Sequence, residues 1–139
     1  MESPAGWAGG IGNWVTMWAD AREHGRVAEM IEAREKFAAL IDEAMKVEDG
    51  IWLKEATKSL RSWVTSVRQD ANQYWRATRD PSAQKKALGL NVAADELQSI
   101  AGLIVKRARA LGFEIEPPAS PVLVTVPETP QRKRWFRRN

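Results

Sequence analysis

Few residues in this chain could do chemistry, and their spacing narrows what that chemistry would be. His24 is the single histidine among 139 residues, with Asp20 and Glu23 close by. A carboxylate-oriented imidazole can serve as a general base only if a nucleophile or substrate proton lies within hydrogen-bond reach. No plausible nucleophile is placed beside it, so His24 reads as a surface or capping residue near a helix end. One imidazole leaves no partner for a two-histidine metal site. The absence of cysteine removes thiol nucleophiles, disulfides and cysteine-based zinc sites. A di-iron bundle needs inward glutamates and two Glu-x-x-His pairs, and no glutamate here has a histidine three residues later. Gly9-Gly10-Ile11-Gly12 lacks the lysine and Ser/Thr that complete a phosphate loop. The expectation is a non-enzyme, with no catalytic residue, cofactor or metal.

The most informative motif is the end of the chain, Gln131 to Asn139. Arg132, Lys133, Arg134, Arg137 and Arg138 surround Trp135 and Phe136 without one negative charge. Guanidinium groups contact phosphates, and aromatic rings stack on bases or enter a lipid interface. These seven residues are the candidate site for nucleic acid or another anionic partner. Taking their five cations from the net charge of +3 leaves the remainder of the chain at −2, so the body is mildly acidic. The bland reading is a solubilising end, against which two adjacent aromatics speak, because exposed Trp and Phe are a liability without a partner.

Seven tryptophans against one tyrosine are the other anomaly. Tryptophan buries large area and is enriched at interfaces. Trp7, Trp14 and Trp18 form an N-terminal group that either closes an end of the fold or docks a protein partner. A membrane role is disfavoured because that stretch lacks the lysines and arginines of an interfacial helix.

Around these residues the periodicity is helical. From Arg26 to about Lys46, Val27, Met30, Ile31, Phe37, Leu40, Ile41, Ala44 and Met45 recur at three- and four-residue steps, with Glu29, Glu32, Glu35, Asp42 and Glu43 on the solvated side. Asp49-Gly50 is a turn signal. From Ile51 to about Arg79 a near-heptad repeat places Leu53, Leu60, Val67 and Tyr74 in one row and Ala56, Trp63 and Ala77 in a second. Asp70 interrupts the stripe, where a buried polar side chain would fix register. Asp80-Pro81-Ser82 is a helix boundary. A further helix runs to about Leu111, with Gly89 as a local weakness, Gly102 as a point of close helix approach and Gly112 as the C-cap. Short connections force antiparallel neighbours. Leu60, Trp63, Val67, Leu97, Ile100 and Ile104 are the expected core.

The expected fold is therefore all-α: an elongated antiparallel three-helix bundle over 26–112. A glycine-rich, flexible start and a short Trp-rich helix capped by Asn13 precede it in 1–25. An extended, proline-rich arm with the basic aromatic tail follows in 113–139. Within the arm, Val122-Leu123-Val124-Thr125-Val126 is fenced by Pro121 and Pro127, and nothing elsewhere offers it a second strand. A lone strand leaves its backbone groups unpaired, so Val122, Val124 and Val126 are candidate docking residues for another polypeptide. No apolar run approaches the roughly 18 residues that span a bilayer, and Met1-Glu2-Ser3-Pro4 lacks the basic start of a secretory signal. The expected location is cytoplasmic, or within an assembled particle.

No motif is specific enough to name a family. The leading functional expectation is a structural or assembly protein, a helical-bundle subunit of a larger complex such as a virion or phage particle. Its partners would be other protein subunits in a homo- or hetero-oligomer. The alternatives are a nucleic-acid-binding accessory protein using residues 132–138, and a peripheral membrane factor.

Overall fold

Apolar positions at helical spacing run almost from the start of the chain, and each run ends at a capping signal. The computed structural model describes residues 2–77 and 80–118, and among them α-helix is the only regular secondary structure. Helix α1 spans Pro4–Glu23, α2 Val27–Ala44, α3 Gly50–Ala77 and α4 Pro81–Ala110. Each start is capped as its sequence dictates, α2 excepted. Ser3 Oγ accepts from the Gly6 amide with Pro4 in the first turn. Asp49 accepts from the amides of Ile51 and Trp52, and Asp80 accepts from Ser82 ahead of Pro81. Gly25 (φ 68°) and Gly112 (φ 89°) end α1 and α4 in the left-handed region. In both, the two following amides bond back to the last-turn carbonyls: Gly25 to Arg22 and Arg26 to Ala21, Gly112 to Arg109 and Phe113 to Ala108.

The N-terminal segment departs most from expectation. It is not a flexible start followed by a short helix capped at Asn13. Helix begins at Pro4 and runs through all four glycines, and Asn13 is an exposed mid-helix residue. Moreover, α1 is central rather than a cap: it packs against α2, α3 and α4 alike. The mutually packed trio is α1, α3 and α4, while α2 lies on α1. The three-helix arrangement expected of 26–112 is thus replaced by four helices organised around the first.

The glycines explain how. A Cβ on Gly12 would stand 2.6 Å from the Trp63 ring, and one on Gly10 3.3 Å from Leu40. Removing those methyls lets α3 and α2 approach closely enough to enclose Trp7, Ile11 and Val15 completely. Close packing on three neighbours offsets the roughly 1 kcal/mol that each interior glycine costs relative to alanine. The other two interior glycines exchange their expected roles. Gly89 is the close approach, buried with Glu23 and the Ala19 carbonyl against it, and Gly102 faces open space.

Side-chain pairs fix the directions. Trp7 meets Trp52 edge-on with ring centroids 5.4 Å apart, and Gly12 meets Trp63, so α1 and α3 run parallel. Arg107 late in α4 donates to the Val47 carbonyl just ahead of α3, while Arg68 late in α3 reaches Asp95. Helix α4 therefore runs antiparallel to α3 and hence to α1, which it meets at Gly89. Arg68 reaches Asn91, Asp95 and Gln98 across the α3–α4 hairpin. After α4 the chain turns back along α3: Phe113 sits on Gly50, Ile115 is buried, and Arg61 donates to the Glu116 carbonyl. Leu60, Val67, Leu97, Ile100 and Ile104 are buried as expected, and Trp63 is half-buried. Asp70 is exposed and fixes nothing. The buried polar residue among those described is Thr57, whose hydroxyl donates to the Leu53 carbonyl one turn earlier.

Candidate docking surfaces

The N-terminal tryptophans resolve into different roles. Trp7 is wholly enclosed and its indole N–H donates to the Leu40 carbonyl at 2.8 Å. It holds α2 onto α1 and presents no surface to a partner, a correction to its expected docking role. Trp18 is half-buried, packs edge-on against Phe37, and carries the Arg34 guanidinium 5.5 Å above its ring. Trp14 is half-buried against the same core. Trp52, which the sequence did not single out, donates its indole N–H to the Glu2 carbonyl and ties down the chain's start. A row of glycines around tryptophan was the available signal for this close packing. The candidate residues Val122, Val124, Val126, Arg132, Lys133, Arg134, Trp135, Phe136, Arg137 and Arg138 lie outside the described residues.

His24 is exposed at the end of α1, with Nδ1 2.9 Å from the Asp20 carbonyl oxygen and 3.5 Å from its carboxylate. Asp20 also pairs with Arg26 and, at 3.9 Å, with Lys86. Hydrogen bonds to Asp20 and then Glu29 raise the Arg26 pKa above its ordinary value. This network pins the α1–α2 corner to α4. Among the described residues no group of three His, Asp or Glu side chains is gathered as a metal site. A depression beside Ser62, Trp63 and Ser66 is a shallow surface feature lined by two hydroxyls and the indole.

The surface is more informative at the end where α3 turns into α4. Counted from Trp7 beside Trp52 and from Gly12 beside Trp63, the last residue of α1, Glu23, falls level with residues 68 to 74 of α3, which runs on to Ala77. The core stops with α1: Ala71 is the last buried residue described in α3, and Ala87 is the first in α4. Between Ala71 of α3 and Ala87 of α4 no described side chain is buried. Tyr74, expected in the core row, is 42% exposed, Trp75 is 55% exposed and Leu88 51%. Sequence periodicity identified the face of Tyr74 correctly but not the length of the helix that would have to cover it. A two-helix stretch cannot close a core by itself, and packed layers need a further element.

Helix α4 is by length and composition apolar enough to cross a membrane, which amends the expectation that no run comes close. Its apolar face, with Leu90, Leu97, Ile100 and Ile104, is buried in the bundle.

Comparison with known families, characterised proteins and solved structures gives no match to this chain. The functional reading therefore rests on the molecule itself.

Proposed function

We propose that this protein is a non-enzymatic structural subunit that assembles with other protein chains, a further copy of itself first among them. The observation that carries the reading is the α3–α4 hairpin, where Tyr74 and Trp75 stand past Ala71, the last buried residue described in α3, and Leu88 is exposed near the start of α4. Exposed tryptophan and tyrosine are the side chains that most often anchor protein contacts, and Trp75 and Tyr74 are adjacent in the chain. Two such hairpin ends packed together would supply one another's missing layers. The C-terminal arm, with Val122, Val124 and Val126, offers a second point of attachment by strand addition.

The test is the mass in solution of the wild-type chain and of a Trp75→Ser/Leu88→Ser variant. Both positions are exposed, so the variant retains its helical content while losing self-association. A variant that associates as the wild type does would reject the hairpin as the assembly surface. A second reading, nucleic-acid binding by residues 132–138, is favoured by the composition of the tail: five cations interleaved with two aromatics.

A further inference from the structure

Helix α2 packs chiefly against one neighbour, α1, and its far side is not what a solvated face should be. Val27 is 58% and Ile31 52% exposed, and Ala38 is exposed on the same side two turns on. At 100° per residue these three lie within about 40° of one another along roughly 16 Å, interrupted at the backbone by Arg34, whose guanidinium leans away onto the Trp18 and Phe37 rings at 5.5 Å. Glu35 and Asp42 border these positions and Glu32 lies one step further round. All three carboxylates are exposed, and none makes an ion pair with a described residue. The α2 surface is thus an apolar strip with an uncompensated acidic edge. Its complement would carry large apolar groups flanked by several cations and no carboxylate.

The sequence Arg132-Lys133-Arg134-Trp135-Phe136-Arg137-Arg138 has that composition. We infer that the basic aromatic tail of the chain docks on the outer face of its own α2, with Trp135 and Phe136 over Val27 and Ile31 and the guanidinium groups against Glu32, Glu35 and Asp42. This goes beyond the assembly reading and does not depend on which partner the hairpin meets. Reach is sufficient. The last described residue is Pro118, just past the carbonyl that Arg61 holds on α3, and 17 residues separate it from Trp135, inclusive of Trp135. A chain of that length extends to at most about 60 Å and has a root-mean-square span of about 20–25 Å when unconstrained. Helices pack with axes about 10 Å apart, so the outer face of α2 is about two helix layers away. Tethering favours the chain's own tail over a second copy's, because short linkers give effective concentrations near millimolar. The docked tail withholds its cations from nucleic acid until something displaces it, and it covers an apolar stripe that would otherwise stay wet.

The chain contains no cysteine, so an Asn139→Cys full-length protein takes a single nitroxide at its end. Amide resonances of α2 between residues 27 and 42 should broaden selectively, and a tenfold dilution should leave that broadening unchanged. In a mixture of nitroxide-bearing, unenriched chains with isotope-enriched chains lacking the label, α2 should not broaden. An Ile31→Lys/Glu35→Lys variant, altered at exposed positions, should keep its helical content and lose more than half of the effect. Broadening elsewhere or nowhere, or broadening that survives this variant, overturns the assignment. Broadening of α2 in the mixed sample also overturns it, by making a second copy the occupant.

Discussion

Replacing Gly12 by alanine sets two physical effects against each other, and Gly9 supplies the control. Both lie inside α1, so alanine should stabilise either helix position by about 1 kcal/mol through propensity alone. A Cβ at Gly9 meets nothing within 4 Å, whereas at Gly12 it stands 2.6–2.7 Å from three ring atoms of Trp63. Carbon atoms in contact prefer about 3.5–4.0 Å, so the ring or the α1–α3 spacing must yield by about 1 Å. Overpacking of that kind costs about 1–3 kcal/mol. Subtracting the propensity gain, Gly12→Ala should lie between neutral and about 2 kcal/mol destabilised, and Gly9→Ala should be about 1 kcal/mol more stable than wild type. The gap between the two variants, in which propensity cancels, is about 1–3 kcal/mol. At about 4 °C per kcal/mol for a domain of this size, thermal melts followed by circular dichroism would separate them by about 4–12 °C. Trp63→Leu should shrink the cost of alanine at position 12 by making room for it. Equal melting temperatures for the two alanine variants would refute the close approach of α1 and α3, and with it the central place given to α1.

Three further outcomes can be checked, the first from the structure and two from the sequence of the arm. Leu97→Ala or Ile104→Ala, each truncating a fully buried side chain, should cost about 2–5 kcal/mol in chemical denaturation; losses below about 1 kcal/mol would mean that α4 does not line the core. If residues 132–138 bind nucleic acid, affinity should fall steeply with salt in proportion to the phosphates neutralised. Deleting 131–139 should then abolish binding with an unchanged melting temperature. Val124→Pro removes one backbone donor while keeping an apolar side chain. If the 122–126 run adds as a strand to another chain, assembly should fail in this variant while the bundle melts as before; unimpaired assembly would count against that pairing.

Much of the helical architecture was legible because local chemistry and tertiary packing agree. Asp80-Pro81, Gly112 and the stripes through Leu60, Val67, Leu97 and Ile104 each state one answer, and the structure repeats it. Where they disagree, the sequence misleads. Gly6, Gly9, Gly10 and Gly12 are individually poor helix residues, and local propensity places a loop there. What overrides it is a contact between residues 12 and 63, which propensity cannot register. Gly89 and Gly102 make the same point, since nothing in their local sequence says which one faces α1. Tyr74 continues the core row in register, but whether it is covered depends on where α1 stops, a property of another segment. Trp7 was ambiguous for a related reason: a tryptophan near a chain start suits a docking role or a core role, and only the Leu40 carbonyl decides. The candidate site was least legible where it depends on a neglected length difference, since the overhang is written into neither α3 nor α1 alone.

The claim that this chain is an assembly subunit is tested most directly by sedimentation of the full-length protein over a hundredfold range of concentration. Masses above the 15.6 kDa of a single chain are expected, rising with concentration and falling back to one chain in the Trp75→Ser/Leu88→Ser variant. A single-chain mass across the whole range, the same with and without Trp75 and Leu88, would contradict the claim.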